Sequence, residues 1–175
     1  MTSSTTTVGV AIAVPEPFGS LLRDARAHFG DEMAATIPTH ITLTPPAEVE
    51  PSALGLLAAS LETTAAAVAP YSIRLRGTGT FRPVSPVVYV AVSEGAAQTE
   101  QLAHRVRRAL GHPVLEFPYH PHVTVAHHLD DPALDHAYAA LAGFECEFRV
   151  TEFALYHQVD QTGWKPERHF ALGPR

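Results

Sequence analysis

Pro38-Thr39-His40-Ile41-Thr42-Leu43 and His120-Pro121-His122-Val123-Thr124-Val125 are two copies of one phrase, histidine, apolar, threonine, apolar, one in each half of the chain. Alternate side chains of a β-strand share a face. His40 and Thr42 therefore point one way and Ile41 and Leu43 the other. The second copy repeats this with His122 and Thr124 set against Val123 and Val125. A proline closely precedes each histidine, as at a strand entry. Placement of one copy in each half is what an internal duplication leaves behind. Two imidazoles and two hydroxyls on two similar strands are the groups needed to grip and cut a single phosphate.

The bulk properties narrow the setting. A chain of 175 residues with 46% hydrophobic content reads as one domain with a sizeable core, residues 1–175. The formal charge of −6 argues against a broad basic footprint for long duplex nucleic acid. A short oligonucleotide or nucleotide held by a few local arginines is compatible with it. The one cysteine, Cys146, excludes an internal disulfide and suits a reducing compartment. The start, Met1 to Thr7, carries no Lys or Arg, and the apolar run Val8 to Val14 ends at Pro15. That lacks the pattern of a signal peptide and the length of a membrane span, so a cytoplasmic monomer is expected, with residues 1–7 a flexible tail.

Strands and helices alternate along the chain. Val8 to Val14 reads as a first strand, followed by a helix from Gly19 to Phe29. The His40 strand is expected to close at Pro45-Pro46. Ser52 is expected to cap a second helix carrying Leu54, Leu57 and Leu61. Tyr71 to Thr80 and Pro86 to Val92 read as strands, with Gly77, Gly79, Pro83 and Pro86 marking turn. A third helix bears Leu102, Val106 and Leu110, and Arg105, Arg107 and Arg108 are assigned to its wet face. After the His122 strand, Asp131-Pro132 predicts the cap and first position of a fourth helix. Glu147 to Gln158 and Arg168 to Leu172 read as a final strand pair around Gly163. Short connections between paired strands favour an α+β fold with antiparallel sheets and helices packed outside.

In these residues the chain resembles the 2H phosphoesterase superfamily, in its 2′-5′ RNA ligase-like group. The hallmark there is a duplicated His-x-Thr/Ser-x, standing here as His40-Ile41-Thr42-Leu43 and His122-Val123-Thr124-Val125. Gly79-Thr80-Phe81-Arg82-Pro83 is similar to the family's middle segment. Phe153 to His157, Gly163-Trp164 and Phe170 to Leu172 are similar to its C-terminal hairpin. The resemblance implies two pseudo-symmetric lobes, each an antiparallel sheet with outer helices, flanking a central cleft with one motif from each. It also implies hydrolysis of a 2′,3′-cyclic phosphate or a 2′-5′ linkage in short RNA or a nucleotide, with reversible 2′-5′ ligation as a second activity. By the same analogy His40 protonates the leaving ribose oxygen and His122 activates water. Relatives often carry an arginine soon after the second motif, where this chain has Ala126-His127-His128. His127 or Arg82 is the candidate replacement.

The residue chemistry agrees with that expectation. Histidine has an ordinary pKa near 6.5, so it can give or take a proton near neutrality. Two imidazoles on one phosphorus can divide the roles of acid and base. Threonine hydroxyls can donate to the non-bridging oxygens as charge develops. No metal or other cofactor is required by this scheme. Phe81 and Tyr119 are candidates to stack on a base and Arg82 to pair with phosphate, although each also fits an ordinary core or surface role. Trp164 lies in a predicted turn, over the cleft or on plain surface. A second class, a metal-dependent hydrolase, rests on the cluster His112, His120, His122, His127 and His128. A third is a nucleotide-binding protein without catalysis.

Overall fold

The computed structural model describes residues 5–111, 115–159 and 163–173. Eight strands and four helices run in the order β1 (Thr6–Ala13), α1 (Phe18–His28), β2 (His40–Val49), α2 (Leu54–Ala66), β3 (Tyr71–Thr80), β4 (Val87–Glu94), α3 (Ala96–Ala109), β5 (His122–His127), α4 (Asp131–Ala140), β6 (Glu145–Val150), β7 (Glu152–Val159) and β8 (Gly163–Ala171). They build two four-stranded sheets, ordered β2-β1-β7-β8 and β5-β4-β3-β6. Every pairing in both is antiparallel. The architecture is α+β with two lobes.

The two sheets repeat one plan. Each motif strand, β2 or β5, stands at a sheet edge beside the strand before it in the chain. One helix joins the two strands in each lobe, α1 or α3. These helices cross over: α3 packs on β2 of the other lobe, and α1 packs on β5. The apolar halves of the motifs drive this. Ile41, Leu43, Val123 and Val125 are fully buried, and one core cluster joins them to Leu22 of α1, Leu61 of α2, Leu102 and Val106 of α3 and Leu134 of α4. Burying side chains of this size contributes about 1.5–3 kcal/mol each. His40, Thr42, His122 and Thr124 are left on the opposite, half-open face.

Several boundaries differ from the sequence reading, each for a local reason. β2 does not stop at Pro45-Pro46 but continues to Val49. The pairs Val8 with Ala47 and Val10 with Thr44 leave both prolines opposite the single residue Gly9. The prolines thus occupy a bulge on an edge strand, where a missing N–H costs no ladder bond. Thr6 and Thr7 belong to β1, paired with Val49 and Glu48, so the expected tail is shorter; residues 1–4 lie outside the described residues. Ser52 lies inside a 3-10 turn, Pro51–Ala53, that leads into α2, and does not cap it. Asp130 caps α4, its carboxylate accepting from the Ala133 N–H at 3.0 Å, one residue earlier than expected. The single strand expected over Glu147 to Gln158 breaks at Thr151: β6 pairs with β3 in one sheet, and β7 with β1 and β8 in the other. β3 spans the expected Tyr71–Thr80, with a bulge at Gly77, φ 73°. The expected turn between β7 and β8 falls partly outside the described residues. No helix among those described is long and apolar enough to cross a membrane. Cys146 is buried on β6, which pushes its thiol up to about 11.

Candidate active site

The edge strands β2 and β5 face each other across the gap between the sheets without sharing a ladder. That places the two motifs side by side. The rings are oriented alike. His40 Nδ1 is 2.6 Å from the Pro38 carbonyl oxygen, and His122 Nδ1 is 2.7 Å from that of His120. A carbonyl only accepts, so each Nδ1 carries the proton and donates. Each neutral ring then keeps a bare lone pair on Nε2, the atom left for chemistry.

Burial lowers the pKa of both rings. His122 drops from 6.5 to about 4, chiefly through desolvation, and the charges of His120 and His40 add to this. The backbone bond opposes but does not reverse it. His40 is also lowered by desolvation, with Arg26 acting in the same direction. His40 and His122 lie on facing strands, and the charge of His40 lowers the affinity of His122 for a proton. Among the described residues, neither Thr42 nor Thr124 has its hydroxyl engaged by another group, unlike Thr39, Thr80 and Thr99.

Aromatic rings flank the histidines on both sides. Beside His122, the Phe81 ring stands edge-on at 5.0 Å, and Tyr89 lies 5.3 Å from His122 and 4.6 Å from Phe81. Tyr89 occupies the space over Gly79, where an added Cβ would lie 2.4 Å from the ring. Beside His40 is a cleft of about 140 Å³ that opens to solvent and is lined by Gly9, Ala11, Thr42, Tyr156 and Trp164 among others. Trp164 lies over Gly9, its ring 3.2 Å from where a Cβ would stand. Tyr89 and Tyr156 were not singled out by the sequence, although Gly9 and Gly79 inside strands are the kind of signal that marks close approach.

The remaining candidates divide. Phe81 reaches the site. Arg82 does not present a free guanidinium: it donates to Asp131 at 3.1 Å and Asp135 at 2.8 Å, which hold it to α4. The phenol of Tyr119 points at the protein, donating to the Thr42 carbonyl at 2.8 Å. Arg107 is not on the wet face; its guanidinium lies 5.6 Å from the centre of the Tyr119 ring. His127 stands at the far end of β5, stacked on His128 at 3.6 Å. His120 lies beside His122, with ring centres 5.9 Å apart. Among the described residues no three His, Cys, Asp or Glu side chains converge as a metal site; His112 lies outside them.

The family model of the 2′-5′ RNA ligase superfamily matches residues 14–162. A Geobacillus kaustophilus protein named "Putative phosphoesterase" is 26% identical over 167 residues, spanning 94% of this chain and 95% of that protein. One of the same name from Bacillus cytotoxicus is 28% identical over 147 residues, spanning 82% and 84%. Among solved structures, E. coli LigT in apo form superposes with a TM-score of 0.70 at 21% identity, covering 98% of this chain and 99% of LigT. LigT complexed with NADP+ gives 0.68 at 23% identity, covering 97% and 99%. The fold is therefore shared with LigT, and the chain belongs to the 2′-5′ RNA ligase superfamily of 2H phosphoesterases.

Proposed function

We propose that the protein is a metal-independent phosphodiesterase acting on a 2′,3′-cyclic phosphate or a 2′-5′ linkage in short RNA or a nucleotide. One observation carries this: two histidines on facing strands, each held through Nδ1 to a backbone carbonyl two residues earlier, each with Nε2 free. An anionic phosphate between them raises the pKa of both rings, because opposite charge favours the protonated form. One proton then enters the pair on binding. By analogy with the family, His122 is the ring left neutral. Its Nε2 takes a proton from water as the water oxygen bonds to phosphorus. The bond from phosphorus to the ribose 3′ oxygen breaks, and His40 Nε2 delivers its proton to that oxygen, leaving a 2′-phosphate. A ribose 5′-hydroxyl in place of water yields a 2′-5′ diester by the same transfers. Each proton transfer is worth roughly 10²–10⁴ in rate. The Thr42 and Thr124 hydroxyls donate to the non-bridging oxygens.

Phe81 and Tyr89 on one side, with Trp164 and Tyr156 on the other, offer faces for flat bases. LigT has been solved with 3′-AMP, ATP and NADP+, which supports a nucleotide-sized ligand here. The test is a panel of 2′,3′-cyclic nucleotides and 2′-5′ dinucleotides. His40→Ala and His122→Ala are expected to lower kcat at least a hundredfold while remaining folded. Near-native rates in both variants would refute the scheme.

A further inference from the structure

We propose that Tyr119 and Asp31 are positioning residues, two polar straps that hold the motif strands β2 and β5 at the separation catalysis requires. The proposal rests on the functional reading above. β2 and β5 belong to different sheets, so no backbone ladder fixes one against the other. Among the described residues, two side-chain hydrogen bonds tie β5 and its approach to the first lobe, one at β2 itself and one at the segment between α1 and β2. Tyr119, three residues before His122, donates its phenol to the carbonyl of Thr42, within the first motif, at 2.8 Å. Asp31, which precedes β2, accepts from the backbone N–H of His127, the last residue of β5, at 3.0 Å. The second motif is thus tied to the first lobe at both ends.

Both straps are built to stay closed. Burial raises the Tyr119 pKa, so the phenol remains a donor at every working pH. Arg107 over its ring keeps the side chain seated. Asp31 is 3% exposed and its carboxylate is fully committed: Arg26 Nε donates at 2.7 Å, the Met33 N–H at 3.0 Å, and the His127 N–H completes the set. A buried carboxylate with three donors has one geometry. The shared core brings the two strands together, and these two hydrogen-bonded residues refine the distance from one imidazole to the other.

The test is Tyr119→Phe, which keeps the ring over Arg107 and removes only the strap. Misplacing a catalytic group by about 1 Å can cost about a hundredfold. The expected result is kcat lowered ten- to a hundredfold, with KM changed less than about twofold, since the bond touches main chain and not substrate. A second readout is the titration of His122 followed by NMR of its ring protons. His122 is faced by His120 from its own segment, by Tyr89 from β4 and by His40 from β2. Loosening the straps exposes the ring and weakens the effect of His40, so the midpoint rises toward the ordinary histidine value. Asp31→Asn, where folded, is expected to do the same. A Tyr119→Phe protein with native kcat per folded molecule, or with an unmoved His122 midpoint, overturns the proposal. Failure of the wild type on every phosphate would refute the functional reading, while the ring titration would still judge the strap.

Discussion

His122 makes a stability prediction that needs no substrate. The folded protein holds this ring at about 4, against 6.5 in the unfolded chain. Between those values the unfolded state binds the proton and the native state does not, so stability falls as pH drops. The contribution is fully present above 6.5 and is lost progressively down to about 4. Between pH 7 and pH 5 the linkage amounts to about 2 kcal/mol. The perturbation is His122→Gln, which removes the titrating group and keeps a polar side chain on the same strand. Urea unfolding of both proteins at the two pH values, followed by the fluorescence of the one tryptophan, measures the difference. The wild type is expected to lose about 2 kcal/mol more than the variant on acidification. His127, at the far end of β5, contributes to both proteins and cancels, while the coupling of His122 to His40 is part of the difference measured. Equal losses in the two proteins would show that His122 is not desolvated, and would remove the physical basis for its role as base.

The free enzyme's pKa values govern kcat/KM and those of the complex govern kcat. With both rings lowered when empty and raised by the bound phosphate, the kcat/KM optimum is expected on the acid side of the kcat optimum; coincident profiles would count against proton uptake on binding. Gly79→Ala is expected to displace Tyr89 and destabilise the protein by about 1–3 kcal/mol, measured by urea unfolding, because the added Cβ meets the ring at 2.4 Å. Trp164→Ala is expected to raise KM for nucleotide substrates several-fold with little change for a base-free ribose cyclic phosphate, measured by steady-state kinetics. Incubation with a chelator is expected to leave turnover unchanged; loss of activity restored by added metal would favour the histidine-cluster reading.

Period-two alternation around His40 and His122 determined a great deal unaided. It fixed which side chains of each motif enter the core, because the pleat leaves no other choice. Glycine and proline punctuation marked most element ends, as at Gly30 and Gly111, where positive φ admits glycine at little cost. Local rules failed where the neighbour decides. Pro45 and Pro46 stay in a strand only because β2 is an edge strand opposite a glycine, and the break at Thr151 exists because two different sheets claim its flanks.

The site divides in the same way. That His40 and Thr42, and likewise His122 and Thr124, share the less buried face of their strands was legible, since their spacing is a property of one strand. Arg82, Tyr119 and Arg107 were not, because whether a cation or phenol faces ligand, carboxylate or main chain depends on groups far away in the chain. The partners of Arg82 lie on α4, and that of Tyr119 is the carbonyl of Thr42. Sequence alone determined the chemistry available and the face that carries it. Only tertiary structure decided which two edges meet, how deeply the imidazoles are desolvated, and what holds them together, because burial and long-range hydrogen bonds belong to the packed chain and to no segment of it.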